Sequence, residues 1–297
     1  MRSLVREIIY RSVNKLKFLT NYLFTWFGGI LKQSSFKRIE HFCLFVGYGR
    51  SGHTLIASLL NAHPDIVIGI EWDPLDKVRL GYVSRNQIFY AILLNAINFT
   101  KKHKDIWSGY SYRVGNNWQG SYREIKVIGD KSGGLNTKQL TENFGLLDRI
   151  AGIVRAEVKL IHVIRNPFDI ITTTLIRTFE RDFPGIQPAT QDLLPFIKKF
   201  LKSAKVIQRL KCENKYPMFD LYHEDFVIFP KEKLAALIEF LGETPDRNYL
   251  ESCTEIVFQE PHLSRLRIAW DQDLIRYVEK ELKRFSFLAR YTYDNGS

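Results

Sequence analysis

From residue 41 onward, short runs of apolar residues alternate with longer stretches in which apolar residues recur at three- and four-residue spacing. The first pattern predicts strands and the second helices, so their alternation predicts an α/β architecture with a central parallel sheet. Residues 42–46 form the first apolar run and lead into glycines, after which Leu55, Ile56, Leu59 and Leu60 fall at helical spacing over 54–61. Residues 66–70 predict a second strand. Residues 126–129 predict a third that enters a turn at Asp130-Lys131-Ser132-Gly133-Gly134. A fourth, 158–164, is apolar almost throughout and is expected to be covered on both faces, with Asn166-Pro167 opening the next helix. Helices are also expected over 191–211, 231–241 and 271–284, and another strand over 217–222. No Pro/Gly/Ser-rich linker or repeat interrupts 41–297, which predicts one domain there, preceded by an N-terminal helical segment 1–40. Open parallel sheets bind ligands beyond the carboxyl ends of their strands. The turns at 47–54, 71–74, 130–134 and 165–168 are therefore expected to meet in one crevice.

Charge modifies this picture mainly at the N-terminus. The chain of 297 residues carries a net charge of +11, which favours anionic partners. Residues 1–40 hold Arg2, Arg6, Arg11, Lys15, Lys17, Lys32, Lys37 and Arg38 against Glu7 and Glu40. Within this segment the apolar stretch 18–31 has 14 residues, fewer than the ~20 that span a bilayer. Tyr22, Phe24, Trp26 and Phe27 between basic flanks fit two readings: a helix packed on the domain, or one lying peripherally on an anionic membrane. No signal-peptide cleavage site follows. Cys43, Cys212 and Cys253 are too few and too scattered for a disulfide framework or a structural zinc site, which favours a reducing, cytoplasmic setting.

Candidate chemistry begins at Gly47-Tyr48-Gly49-Arg50-Ser51-Gly52-His53-Thr54, which fits the phosphate-loop pattern G-x-x-x-x-G-K-[ST] except that His53 replaces lysine. Glycines let backbone N–H groups turn toward an anion, and the following helix presents its positive end. Histidine is shorter than lysine and mostly neutral near pH 7, which argues against a nucleoside-triphosphate kinase. Arg50 offers a cation three residues earlier. Further along, Arg165 ends a buried strand and Thr173 follows eight residues later. An arginine fork suits a dianionic phosphate, and a hydroxyl two helical turns on can share it.

Arg50-Ser51-Gly52-x-Thr54 after an apolar strand resembles the 5′-phosphosulfate loop of sulfotransferases that use 3′-phosphoadenosine 5′-phosphosulfate (PAPS). His53 departs from the small hydroxyl residue usual in that loop. Arg165 and Thr173 resemble the family's 3′-phosphate motif. The resemblance spans roughly 42–290 and implies a three-layer α/β/α fold of the P-loop kind, with PAPS as co-substrate and no metal. By it Gly49, Arg50, Ser51, Gly52, His53, Thr54, Arg165 and Thr173 would bind the nucleotide. Glu71, eight residues after His63-Pro64, stands where the carbohydrate-type and bacterial members have an acid that takes the acceptor's proton, with Asp73 in reserve. Lys131, in Asp130-Lys131-Ser132, resembles the lysine that stabilises the leaving phosphate. Ser264-Arg265-Leu266-Arg267 resembles the late basic loop over the nucleotide and adds Arg265.

The implied function is sulfuryl transfer to an acceptor hydroxyl of a glycan or another small molecule, with Glu71, Lys131 and Arg50 catalytic. Trp107, Tyr110, Tyr112 and Trp118 suit either stacking on that acceptor or core packing. The competing readings are a P-loop small-molecule kinase and a non-catalytic binder of anionic membrane or nucleic acid through residues 1–40. Nucleic acid is not an expected partner of the leading reading.

Overall fold

The computed structural model describes residues 18–107, 109–115, 117–258 and 260–294. Basic residues 2, 6, 11, 15 and 17 of the N-terminal segment lie outside them.

A helix α1 over 18–31 precedes β1 (His41–Gly47), α2 (His53–Leu60), β2 (Ile66–Ile70), α3 (Pro74–Arg79) and α4 (Arg85–His103). A small hairpin, β3 (Ile106–Trp107) with β4 (Tyr110–Ser111), leads to β5 (Val127–Lys131), α5 (Gly133–Glu142), α6 (Leu146–Val154) and β6 (Glu157–Ile164). Then come α7 (Pro167–Asp182), α8 (Leu193–Glu213), β7 (Met218–Tyr222), α9 (His223–Ile228), α10 (Pro230–Phe240), α11 (Arg247–Thr254) and α12 (Gln272–Leu282).

The main sheet runs β2-β5-β1-β6-β7, parallel throughout. β1 is apolar along its length because both its faces are covered. Phe42, Leu44 and Val46 enter one core layer, with Phe89, Ile92, Phe168 and Ile197 from α4, α7 and α8. Cys43 and Phe45 point into the other layer, against Ile56, Leu59, Leu237 and Leu250 from α2, α10 and α11. β6 repeats the alternation, Val158, Leu160 and Ile164 on one side and Ile161 and Val163 on the other. The result is the α/β architecture with a central parallel sheet that the strand pattern predicts, in the three layers that the resemblance implies.

Two differences from the sequence expectation have physical causes. β5 continues through Asp130 and Lys131, both buried, instead of releasing them into a turn. Asp130 is kept in the sheet by three donors, and Lys131 by a carboxylate partner. α4 is a 19-residue helix that hydrophobic spacing did not flag. It buries Ile88, Phe89, Ala91, Ile92, Leu93, Ala96 and Phe99, too wide a face to leave a clean stripe.

Candidate active site

The crevice is assembled where β1, β2, β5 and β6 end. β1 stops at Gly47 with φ 118°, and Gly52, φ 95°, sits at the N-cap of α2. Neither conformation suits a side chain, and at Gly52 a Cβ would lie 2.6 Å from the His223 ring. Between them Arg50 is held at φ 69°, an uncommon left-handed geometry for arginine, with Gly49 and Arg50 exposed at the tip. The Ser51 hydroxyl is turned inward and donates to the Tyr48 carbonyl at 3.0 Å. Thr54 is half-buried in the first turn of α2. The N-terminus of α5 closes on the same loop: Gly47 N–H donates to Thr137 Oγ1 at 2.7 Å, and a Cβ on Gly134 would lie 3.0 Å from Gly49 N. The first turns of two helices, α2 and α5, thus meet at one glycine loop, an arrangement that favours an anion.

His53 takes no cationic part in the loop. Its ring is buried edge-on to Phe45 and hydrogen-bonds the Val46 backbone. Burial holds its pKa down to about 3, and nearby Lys131 and His162 push the same way. Its Nε2 is buried without a partner, and the ring would meet any Cβ on Gly133 at 2.3 Å. A neutral, sequestered imidazole therefore stands where a Walker lysine would neutralise phosphate.

The second turn brings Glu71 and Lys131 together. Lys131, 4% exposed at its side chain, donates from Nζ to Glu71 Oε1 at 2.8 Å. Glu71 is 45% exposed and has φ 58°, so its carboxylate faces the crevice from a strained turn. That turn is clamped by Asp130, whose carboxylate accepts Trp72 N–H at 3.0 Å, Asp73 N–H at 3.4 Å and the Ser132 hydroxyl. Burial pushes the Asp130 pKa up to about 7, opposed by those donors. Asp73, the reserve acid, instead caps α3 by accepting Asp76 N–H at 3.2 Å.

Arg165 is buried at the end of β6. Its Nη1 donates to the Arg50 carbonyl at 3.1 Å, and its Nη2 to the His262 carbonyl and, at 3.4 Å, to Ser264 Oγ. It therefore links the glycine loop to the late turn around Ser264–Arg267. Thr173, farther along α7, is not hydrogen-bonded to Arg165; its Oγ1 is buried with no partner. Most buried hydroxyls are hydrogen-bonded, so this one is open to a further polar partner.

Arg265 is placed differently from the sequence expectation. Its guanidinium, 4% exposed, pairs with Asp169 at 2.8 Å, and its backbone N–H donates to the same carboxylate at 2.7 Å. A buried arginine already matched to a carboxylate is not a free anion receptor, so Arg265 acts by fixing the turn that holds Arg165. Three other residues escaped the motifs. His223 wedges between Gly52 and Arg165, its pKa brought to about 3 by burial and by Arg165. Glu224 accepts Asn166 N–H at 2.8 Å at the start of α7. Arg177, one turn after Thr173, joins burial in depressing the Arg50 pKa; its i+4 spacing from Thr173 was the available signal.

The aromatic residues divide. Tyr112 lies within electrostatic reach of Arg50 and Tyr110 of Arg165, and Tyr110 packs edge-on against Phe258 at 5.8 Å. Trp107 packs on Phe99 and His103. Trp118 lines a 590 Å³ cleft with His63, Asp65 and Tyr249, at the amino ends of the strands.

The sequence pattern of the Sulfotransferase family matches residues 44–247, a stretch that includes Arg50, Glu71, Lys131, Arg165 and Thr173 and stops short of Arg265. No curated protein matches the chain. Among solved structures it is similar to the sulfotransferase domain of the Synechococcus PCC 7002 olefin synthase, at 16% identity over 73% of this chain and 78% of that one, TM-score 0.43. Sulfotransferase STF9 from Mycobacterium avium is similar at 12% identity over 84% and 77%, TM-score 0.47. Mouse sulfotransferase SULT7A1, solved with PAP, is similar at 15% identity over 82% and 75%, TM-score 0.39.

Proposed function

This chain belongs to the sulfotransferase family, and we propose that it carries a sulfuryl group from PAPS to an acceptor hydroxyl on a carbohydrate or another small molecule. The observation that carries the reading is the Arg165-to-Arg50 link at 3.1 Å, which joins the two nucleotide motifs in one crevice. The buried, unpartnered Thr173 hydroxyl supports a ligand there, because a phosphate oxygen would satisfy it.

Arg50 and the loop N–H groups would hold the 5′-phosphosulfate, with Arg165 and Thr173 holding the 3′-phosphate. Glu71 takes the proton as the acceptor oxygen forms its bond to sulfur. The bond from sulfur to the 5′-phosphate oxygen breaks, and the charge left on that phosphate is met by the Lys131 ammonium. The 2.8 Å contact between Glu71 and Lys131 keeps the two side chains together in the crevice, which supports their acting in one transfer. Alignment and fixed charge supply most of the acceleration in such a transfer. Tyr110 and Tyr112 provide aromatic faces at the rim for the acceptor.

Calorimetric titration with 3′-phosphoadenosine 5′-phosphate (PAP), ATP and 5′-AMP tests the nucleotide assignment. PAP is expected to bind tightest. Thr173→Val, which keeps shape and deletes the hydroxyl, should weaken PAP about 10- to 150-fold and leave 5′-AMP unchanged, a lost charge-assisted hydrogen bond being worth about 1.5–3 kcal/mol. Arg165→Ala should abolish the preference for the 3′-phosphate. Equal or tighter binding of ATP would return the glycine loop to the kinases.

A further inference from the structure

α1 meets the rest of the protein with its small and polar side. Thr25, Gly28 and Gly29 are buried, and Phe18 and Tyr22 pack edge-on against Tyr82. The Gln87 side chain donates to the Tyr22 carbonyl at 2.9 Å and to Thr25 Oγ1 at 3.2 Å. The glycines permit this contact: a Cβ on Gly28 would lie 2.0 Å from the Tyr90 ring.

Apart from Phe18 and Tyr22, the large apolar residues therefore face outward. Leu19, Leu23, Trp26, Phe27 and Ile30 are 40–57% exposed and Leu31 is 81% exposed. At about 100° per residue, the first five share an arc of roughly 100° along the helix. A helix of a protein surrounded by water turns such a stripe inward. Leu80 and Val83, on either side of Tyr82, are exposed as well. A contiguous apolar surface of this kind marks a docking site.

Charge selects the occupant. No acidic residue stands between Glu7 and Glu40, whereas Arg11, Lys15, Lys17, Lys32, Lys37 and Arg38 do, and 18–31 itself is uncharged. Two copies meeting through α1 would bring these basic flanks into mutual repulsion; a negatively charged surface attracts them. No helix among the described residues is long and apolar enough to cross a membrane. We propose that α1 docks on an anionic lipid bilayer, lying in the interface with Leu23, Trp26, Phe27 and Ile30 inserted at the acyl boundary and the basic flanks on the headgroups. Tyr82 also packs edge-on against Trp72, next to Glu71, so the docking helix is joined by packed aromatic rings to the turn that carries the candidate base. The proposal stands independently of the sulfotransferase chemistry.

Cosedimentation of the full chain with vesicles tests it, using phosphatidylcholine alone or mixed with phosphatidylserine. Wild type is expected to partition onto the mixed vesicles, less at high salt, with weak binding to phosphatidylcholine alone. Leu23→Ser/Phe27→Ser/Ile30→Ser should lower the partition coefficient by at least about tenfold, with thermal midpoint and PAP affinity unchanged. Three results would overturn the proposal: no partition of wild type, equal partition of the triple variant, or a wild-type dimer that the triple variant dissolves without any vesicle binding. The second would assign the affinity to the basic residues alone, and the third would make α1 a contact between copies.

Discussion

Glu71 and Lys131 owe their meeting to Asp130, which holds the turn of one and precedes the other in its strand. Asp130 receives the backbone of the residues just after Glu71, and Lys131 extends from the next position of the same strand. Glu71→Gln keeps the side chain's size and its contact with Lys131 while removing the basic oxygen. It is expected to lower kcat by about 100- to 10,000-fold, the usual worth of a positioned acid or base, and to leave PAP binding unchanged. A kcat within threefold of wild type would move the base elsewhere. That Arg50 and Arg165 lie in turns at strand ends was legible in sequence, because glycines follow one apolar run and Asn-Pro the other. The partner of Arg265 was not legible, since a basic residue in a late loop reads the same whether its guanidinium is open or paired with a buried Asp169.

Among the elements, β1, β2, β6, β7 and helices α8, α10 and α12 follow from periodicity to within a few residues at each end. α4 does not, because burial on several sides erases the stripe, and β3 and β4 have two residues each, too short to carry a pattern. α1 shows how contact geometry can set a helix's orientation against its hydrophobic stripe. A Cβ at Gly29 would lie 2.7 Å from the Asn86 backbone, which cannot move away as a side chain can. Gly29→Ala is therefore expected to destabilise the protein by about 1–3 kcal/mol in urea unfolding, overpacking outweighing the gain in helix propensity. A stabilised variant would show that α1 does not rest on α4 in solution.

For the molecule as a whole, two buried neutral histidines couple folding to pH. His53 and His223 have pKa values brought to about 3 by burial, against about 6.5 in the unfolded chain. Between those values the unfolded state binds the extra protons, so their contribution is full above pH 6.5 and is lost as pH falls toward 3. Asp130 acts oppositely: with its pKa raised to about 7, its contribution is present below about 3.8 and is lost as pH rises through 7. His53→Asn, which retains a donor near the Val46 backbone, isolates one of the two histidines. Its stability should fall less steeply than wild type between about pH 6 and pH 4, by up to about 1.4 kcal/mol per pH unit. Parallel profiles in urea titrations would mean that His53 is hydrated and free to charge in the folded protein.

Taken alone, the sequence determined the layered α/β class, the glycine loop and the arginine-ended strand, because strands covered on both faces and glycine-rich turns impose local, short-range patterns. It also exposed the basic run near the N-terminus, and could not choose between a packed helix and a membrane-facing one; the structure assigns one side of α1 to the domain and leaves the other apolar side outward. Which charged side chains are paired and which are open was decided only by tertiary structure. Lys131 with Glu71, Arg265 with Asp169 and Arg165 with the Arg50 carbonyl join residues 60, 96 and 115 positions apart. Partnership at such separations depends on how β5, β6 and the late turn stack around β1, and burial then settles whether a histidine or a carboxylate carries charge. No local pattern encodes either.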